Sequence, residues 1–333
     1  MKFLLIRLRR TGDIVLTTPA VAALKNAFPG ASLSYVVEEP FARLVEGHPH
    51  VDHVLVLGRN AGWREAARLL RKVRKEKFDA ALDFHGGPRA SLLALLSGAG
   101  TRVGYAVKYR RFFYNRRVLR SYAGGPVHSV INHLNLVKTL GVSVSAPPAL
   151  VLPEARPEEK DHVGRLLGEA PGGRRVILHI GAGNRFRDWG AQNIVRLIRL
   201  LDGLPAVRVI LAGGRDDLEA EADIRAQAGR EIPSLVGRLN LIELREAILR
   251  SDLFVGPDSG PMHIAASTPT PIVAIFGPTL PEHFAPWKAR AVVLEKALDC
   301  RPCRQRRCVT GDYRCLKSIT PEEVFAASRT FLV

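Results

Sequence analysis

The sequence contains no apolar run long enough to cross a membrane. Hydrophobic residues make up 47% of the 333 residues, which is ordinary for a globular protein. Nowhere, however, do about 18 of them follow one another, as a spanning helix requires. The first apolar stretch, residues 3–6, is ended by Arg7 and lacks the small-residue cleavage site of a signal peptide. We therefore expect a cytoplasmic protein without a membrane-spanning segment.

Cysteine is absent before residue 300, which excludes a disulfide framework across the fold. In a cytoplasmic protein, cysteines grouped in one segment indicate metal or redox chemistry rather than disulfides. Four thiolates can close a tetrahedral structural zinc site, and unmetallated thiols fit the same spacing. We assign the group no catalytic role, because it lies far in sequence from the candidate base. Its members follow the pattern C-x2-C-x4-C-x6-C: Cys300, Cys303, Cys308 and Cys315.

Acidic residues are scarce. The chain has 32 Asp and Glu against 49 Lys and Arg, which gives a net charge of +17. This surplus favours partners that carry phosphate, such as nucleic acid, anionic lipid or a nucleotide, and charge alone does not choose among them. The basic cluster at residues 108–120 is either a solvated face or a binding surface for phosphate. It includes Arg110, Arg111, Arg116 and Arg117.

Short apolar runs alternate with longer helical patterns, which is typical of parallel α/β folds. In the predicted helix at residues 63–75, the side chains of Trp63, Ala66, Ala67, Leu70 and Val73 fall on one face, which we expect to be buried. The predicted strands cover residues 3–6, 33–37, 54–57, 80–84, 176–180, 207–211, 253–256 and 272–276.

Prolines between residues 146 and 157 mark an interdomain linker. We therefore predict an α/β protein of two Rossmann-like, doubly wound domains that face a central cleft. They cover residues 1–155 and 156–315, and a C-terminal helix in residues 316–333 is expected to pack back on the first domain. Ligands of such sheets bind beyond the carboxyl ends of the strands, so the cleft is the expected site.

Asp13 is the first candidate for chemistry. It follows the opening strand in the segment Arg10-Thr11-Gly12-Asp13, where Gly12 allows a ligand to approach the backbone closely. A carboxylate in this position can accept a proton from an attacking hydroxyl. The alternative is that Asp13 caps the following helix, where aspartate is also favoured.

A second candidate segment follows the predicted strand at residues 253–256. Asp258 or Ser259 can cap the next helix, and Pro261 suits its first turn. The free amides at such a helix start can bind an anion such as a pyrophosphate, while His263 can add a hydrogen bond.

Two further segments follow strands. One is a glycine-rich turn, residues 181–183, that departs from the dinucleotide fingerprint because Phe186 stands where a third glycine belongs. Arg187 after it can bind two oxygens of a diphosphate. The other segment places His85 and Arg89 near the end of a first-domain strand, although a histidine there is more often structural.

Together these segments resemble glycosyltransferase family 9, the ADP-heptose:lipopolysaccharide heptosyltransferases. The similarity follows the family's order over nearly the whole chain and rests on residues 6–20, 83–89 with 102–105, and 258–266 with 276–279. The resemblance implies a GT-B fold and an inverting displacement that needs no metal or other cofactor. It also implies that the first domain binds a lipopolysaccharide core acceptor and the second binds ADP-heptose.

The resemblance assigns roles to individual residues. It implies that Asp13 is the base and that Arg187 stabilises the leaving diphosphate. It implies a peripheral position on the inner face of the inner membrane, where the basic cluster meets the phosphates of lipid A or the inner core. The implied donor contacts are Gly181, Ala182, Gly183, Asp258, Ser259, Gly260, Pro261, Met262 and His263, and the implied acceptor contacts are Gly12, His85, Arg89, Arg110, Arg111, Arg116 and Arg117.

Two departures from the family pattern leave the donor open. Arg187 stands where the family usually has lysine, and Gly190 replaces the proline that commonly follows Trp189. The alternatives are a related transferase with another nucleotide sugar or acceptor, a nucleotide-sugar epimerase, and a basic nucleic-acid-binding protein. The last lacks support, because the basic residues are not part of a recognised RNA or DNA module.

Overall fold

The computed structural model describes residues 1–120, 127–169 and 172–333. The chain divides into two compact units, Met1–Glu154 and Ala155–Val333. Among the described residues, no helix combines the length and apolar character that a membrane crossing requires. Each unit is built on a parallel sheet, so the predicted α/β class is confirmed.

The first unit contains a sheet of six parallel strands in the order β3-β2-β1-β4-β5-β6. The order reverses between β1 and β4, and a ligand site is expected at the carboxyl ends of these two strands. The strands are β1 (Lys2–Ile6), β2 (Ser32–Glu38), β3 (His53–Leu57), β4 (Ala80–Asp83), β5 (Thr101–Tyr105) and β6 (Arg116–Val118). The helices are α1 (Thr11–Val15), α2 (Thr18–Ala27), α3 (Trp63–Lys75), α4 (Pro88–Leu96) and α5 (Ser129–Lys138).

The second unit contains a sheet of five parallel strands in the order β11-β10-β9-β7-β8, which reverses between β9 and β7. Its strands are β7 (Arg174–His179), β8 (Val207–Ala212), β9 (Leu253–Pro257), β10 (Ile272–Ile275) and β11 (Ala291–Leu294). Its helices are α6 (Pro157–Leu167), α7 (Ala191–Asp202), α8 (Leu218–Ala228), α9 (Leu241–Leu249), α10 (Gly260–Ala265), α11 (Pro281–Phe284), α12 (Arg314–Lys317) and α13 (Pro321–Leu332).

The final helix differs from the expectation that it packs on the first domain. Val324, Ala327 and Leu332 of α13 belong to the hydrophobic core of the second unit. The helix contacts α7 and the strands β9, β10 and β11. Its apolar face thus completes the second sheet's own core.

The buried face of α3 also differs from the prediction. The side chains that reach the core are Leu69 and Val73, one helical turn apart, whereas Trp63 is 76% exposed. Trp63 lies in the first turn of the helix and stacks against the Arg64 guanidinium, 5.3 Å from the ring centroid. The helix therefore leaves its largest apolar side chain in contact with solvent.

Buried histidines make the stability of the fold depend on pH. Burial lowers the pKa of His48 and of His179 to about 4, and it lowers the pKa of His133 well below its ordinary value. Because these side chains are neutral in the folded state, unfolding below about pH 6.5 takes up protons. Their contribution to stability is therefore complete above that pH and is lost as the pH falls towards 4.

We expect the free energy of unfolding to fall by about 3–4 kcal/mol between about pH 6 and 5, since three histidines act together. Urea denaturation followed by circular dichroism measures this change. Replacing His48 with glutamine should remove about a third of the dependence. A free energy that stays constant over this interval would contradict the neutral, buried state of these side chains.

Candidate active site

Asp13 lies at the start of α1, at the carboxyl end of β1. The helix begins at Thr11 and has no side-chain cap hydrogen bond, so the alternative that Asp13 acts as a helix cap is wrong. The carboxylate instead forms an ion pair through Oδ2 with Nη2 of Arg7, and about a quarter of the Asp13 side chain is exposed. The carboxylate is therefore oriented by Arg7 and remains partly accessible to a substrate hydroxyl.

Arg7 was not predicted from the sequence, yet it organises this edge of the sheet. Its side chain is buried, and Nη1 donates a hydrogen bond of 2.7 Å to the carbonyl of Phe84, directly after β4. Arg7 thus ties the end of β1 to the end of β4 and holds Asp13 at the point where the strand order reverses. The one signal in the sequence is a charged residue that directly follows a fully apolar strand.

Asp83, at the end of β4, shapes the loop that follows it. Its fully buried carboxylate accepts hydrogen bonds from the backbone N–H of His85 (2.7 Å) and Gly86 (2.8 Å) and from the hydroxyl of Tyr114 (2.6 Å). Burial raises the pKa of Asp83, and these donors partly oppose that shift. The ring of Tyr114 fits because position 104 is glycine, where a Cβ would lie 2.4 Å from the ring.

His85 is held by this loop in an uncharged state. Burial, together with the positive charge of Arg7, lowers its pKa to about 4, and Asp13 has the opposite effect. Its Nδ1 is buried and has no hydrogen-bond partner among the described residues. A neutral imidazole near Asp13 can exchange hydrogen bonds with a sugar hydroxyl but does not supply a positive charge at neutral pH.

The other predicted acceptor residues have varied surroundings. Arg89 reaches the buried Glu38, with Nη1 3.4 Å from Oε1, and the carbonyl of Gly12 accepts the N–H of Leu16 within α1. Arg110 donates from Nε to the carbonyl of Gly86 at 3.1 Å.

The other three arginines predicted as acceptor contacts lie at the surface. Arg111 lies over the ring of Phe112, 5.0 Å from its centroid. Arg116 donates to the carbonyl of Thr139, and the side chain of Arg117 is exposed. Arg110 and Arg116 therefore support the backbone as well as carrying charge.

In the second unit, Asp258 and Ser259 follow β9. Asp258 is buried, and its Oδ2 accepts a hydrogen bond from the Thr279 hydroxyl and lies 3.3 Å from Nη1 of Arg187. Ser259 holds the N-cap position of α10 without a side-chain cap hydrogen bond, and its Oγ is buried without a partner among the described residues. Ser259 therefore does not act as the predicted side-chain cap.

Helix α10 is short. It spans six residues, with Gly260 at its start and Pro261 in its first turn as predicted. Met262 is fully buried and His263 almost so.

Arg187 is held from three directions. Its Nη1 donates to the carbonyl of Asp258 (3.0 Å), and its Nε donates to Oε1 of Gln305 (3.1 Å). The same Gln305 oxygen accepts from Nδ2 of Asn184 at 2.7 Å. The guanidinium is therefore fixed in place while about a quarter of the side chain stays exposed. Gln305 was not predicted, since it lies far along the sequence from Arg187, and Thr279 entered the prediction only as part of the motif at residues 276–279.

The turn after β7 requires its glycines. A Cβ at Gly181 would lie 2.0 Å from Oδ2 of Asp217, and Gly183 has a left-handed φ of 59°. Ala182 between them is half-buried. The turn thus brings backbone groups, not side chains, to the carboxyl end of the sheet.

The four cysteines line a common cavity of about 20 Å³ together with Phe186, Pro278 and Tyr313. Across residues 1–120, 127–169 and 172–333, however, no three His, Cys, Asp or Glu side chains are grouped to hold a metal ion, so the geometry does not support the suggested zinc site. Other contacts shape the segment. Arg301 donates from Nη2 to the carbonyl of Thr279 (2.6 Å), and the ring of Tyr313 lies 5.9 Å from that of Phe186.

Comparison with known proteins identifies a family model and relatives that match most of the chain. The family model described as "Glycosyltransferase family 9 (heptosyltransferase)" matches residues 66–314. Lipopolysaccharide heptosyltransferase 3 of Escherichia coli is 27% identical over 301 residues, covering 84% of each chain.

Two solved structures show the same fold. The family 9 glycosyl transferase of Veillonella parvula has 24% identity and a TM-score of 0.90 and covers 99% of this chain and 97% of its own. The ADP-heptose lipopolysaccharide heptosyltransferase II of E. coli has 22% identity and a TM-score of 0.82, covering 100% and 98% of the two chains.

Proposed function

The chain belongs to glycosyltransferase family 9, and on that premise we propose that it transfers a heptose from ADP-heptose to the lipopolysaccharide inner core. One similar protein of E. coli is named as a lipopolysaccharide heptosyltransferase, and the other as an ADP-heptose lipopolysaccharide heptosyltransferase. The observation that carries the proposal is the state of Asp13, a partly exposed carboxylate that Arg7 orients at the switch point of the first sheet. This is the position of a base for an acceptor hydroxyl.

In the proposed reaction, an acceptor hydroxyl attacks the anomeric carbon of the heptose. The hydroxyl proton passes to the carboxylate of Asp13, the new glycosidic bond forms, and the bond to the diphosphate breaks with inversion, so that ADP leaves. Negative charge grows on the diphosphate as it departs, and Arg187 supplies the fixed positive charge that stabilises it. The proposal therefore needs no metal ion for this step.

The donor contacts in this proposal are backbone groups of the turn at residues 181–183, with side chains and backbone of residues 258–263. In this proposal Arg187 is the main contact of the diphosphate, because α10 has only six residues and its amides are not expected to bind the diphosphate alone. On the acceptor side, Gly12, the neutral His85, Arg89 and the basic cluster would contact the sugar and phosphates of the core. We also propose that the protein acts in the cytoplasm, on the inner face of the inner membrane.

Transfer is tested by mass spectrometry with purified protein, ADP-heptose, and lipopolysaccharide that carries either no heptose or one heptose. We expect one acceptor to gain the mass of a single heptose. Nucleotide binding without any gain on either acceptor would contradict the proposed donor or acceptor while leaving the family unchanged.

A related transferase with another nucleotide sugar is the second candidate, because one structural feature favours it. Gly190 has a φ of 93°, whereas proline is fixed near −65°, so the proline of the family pattern could not replace it in this turn. The backbone beside Arg187 therefore differs from that pattern. The same assay with a panel of nucleotide hexoses distinguishes the two candidates by which donor gives the larger kcat/KM.

A further inference from the structure

Helix α3 carries a set of positive charges that the protein itself does not neutralise. The helix has six lysine and arginine side chains that form no ion pair with any described residue, and all six are exposed. In the second unit, by contrast, Arg225 and Arg250 pair with glutamates one turn earlier, Glu221 and Glu246. Unpaired like charges along one helix repel each other, so this surface favours an anionic partner. The set consists of Arg64, Arg68, Arg71, Lys72, Arg74 and Lys75.

Apolar side chains are exposed beside these charges. Trp63 is 76% exposed at the start of α3, and Leu92 and Leu96 on α4 are 48% and 37% exposed. Phe112 is 71% exposed in the turn that precedes β6. Large apolar groups left in solvent among basic residues are typical of a surface that contacts a partner.

These groups lie on the same side of the first sheet. Leu69 and Val73 of α3, Ala90 and Ala94 of α4, and Tyr114 beside the turn are members of one hydrophobic cluster. Helix α4 also contacts both α3 and the turn Arg111–Phe113. The outward surface of this layer is called here the α3–α4 face, defined by Trp63, Leu92, Leu96, Phe112 and the six cations of α3.

We propose that the α3–α4 face docks the protein on a lipid bilayer that carries anionic phospholipid headgroups. The inference deepens the proposed function, since it rests on an acceptor that is embedded in a membrane. A helix with one cationic face and a tryptophan at its end can lie in the plane of the headgroups, with the indole at the boundary of the apolar region. The aliphatic Leu92 and Leu96 suit lipid and offer no ring to a nucleic-acid base, so Trp63 and Phe112 are the two members of this face on which a base could stack.

The face differs from the basic cluster predicted from the sequence. Arg110 of that cluster binds the carbonyl of Gly86 in the loop at His85, and Arg116 binds the carbonyl of Thr139, so reversing their charge would also disturb the backbone at these two points. The arginines of α3 make no such contacts. They therefore allow membrane binding to be tested separately from the active site.

Vesicle sedimentation with the full-length protein tests the proposal. The vesicles contain either phosphatidylcholine alone or an equimolar mixture with phosphatidylglycerol. We expect binding to the anionic vesicles only, and a loss of about tenfold or more in affinity in the α3 variant (Arg68→Glu, Arg71→Glu and Arg74→Glu). A control variant with the same change of charge on exposed arginines of the second unit (Arg165→Glu, Arg215→Glu and Arg329→Glu) should keep most of the affinity.

Trp63 gives a second measurement. Brominated phospholipid should quench its fluorescence on binding, and this quenching should disappear in Trp63→Phe. Equal vesicle affinity of the α3 variant and the parent, or no quenching that depends on Trp63, would overturn the proposal. So would tighter binding of the α3–α4 face to a single-stranded polynucleotide than to the anionic vesicles.

The choice of acceptor separates the test of membrane docking from the test of the proposed heptose transfer. The α3 variant should transfer heptose to a lipid-free core oligosaccharide at the parent's rate, but more slowly than the parent to acceptor embedded in vesicles. Equal rates on both acceptors would contradict docking through this face. Failure of the parent on both acceptors would instead contradict the proposed transfer and leave the vesicle measurements to decide the docking.

Discussion

Replacing Asp13 with asparagine should lower kcat by roughly 10²–10⁴-fold while the affinity for ADP-heptose stays nearly unchanged. The amide cannot take the proton of the acceptor hydroxyl, and in the proposed reaction no other group holds that proton. Asparagine also leaves the guanidinium of the buried Arg7 without its carboxylate. Steady-state transfer and nucleotide titration measure the two effects separately.

The control must separate loss of the base from loss of an ion pair. Asp52 forms a pair with Lys25 in the same unit, with its Oδ2 3.0 Å from Nζ. The variant Asp52→Asn therefore removes a carboxylate from a cation elsewhere and should leave kcat unchanged. Asp13→Glu keeps a carboxylate in a shifted position and should recover part of the rate. A kcat for Asp13→Asn close to that of the parent would show that Asp13 is not the base.

The sheets were predictable because their strands are buried on both faces. The residues Phe3, Leu4, Leu5 and Ile6 of β1 are all fully buried, and such a continuous apolar run identifies a central parallel strand in the sequence itself. The alternation of strand and helix likewise predicted parallel sheets, whereas the order of the strands came from the structure. The position of Asp13 after the first strand then places it at the carboxyl edge of the sheet.

Helix α3 shows where periodicity alone is insufficient. The apolar pattern placed Trp63 on the buried face, but the core is reached by Leu69 and Val73. The first turn of α3 extends past the edge of the hydrophobic core and is therefore in contact with solvent. The local sequence does not show where the core ends. The exposed tryptophan became informative only because the structure showed its neighbours.

The sequence indicated the segments of the candidate site but not the tertiary contacts that orient its side chains. A strand followed by a glycine and an acid identified the Asp13 segment, but the orientation of its carboxylate depends on Arg7, whose pairing is a tertiary contact. Gln305 gave no signal, since its partners lie 118 and 121 positions away. The spacing of the four cysteines was a stronger sequence pattern than the Asp13 segment, yet the four thiols are not grouped as metal ligands.

Arg187→Ala should lower kcat by about 10²–10³-fold, because it removes the fixed positive charge that stabilises the leaving diphosphate. Arg187→Lys keeps the positive charge but loses the planar guanidinium that can donate to two oxygens at once, so we expect a rate between those of the parent and Arg187→Ala. Arg185→Ala, an exposed arginine in the same turn, serves as the matched control and should leave kcat nearly unchanged. Transfer rates at saturating donor and acceptor measure these effects.

Gln305 should act only through Arg187. Gln305→Ala removes the acceptor that fixes Nε of Arg187, and we expect a loss of about tenfold in kcat, since a mobile guanidinium stabilises the diphosphate less well. Gln305→Glu places a negative charge against Arg187 that competes with the diphosphate, so its loss should be larger. If the two residues form one unit, the double variant Arg187→Ala, Gln305→Ala is no slower than Arg187→Ala alone. Losses that multiply in the double variant would show that Gln305 acts elsewhere, and they would contradict its role in positioning Arg187.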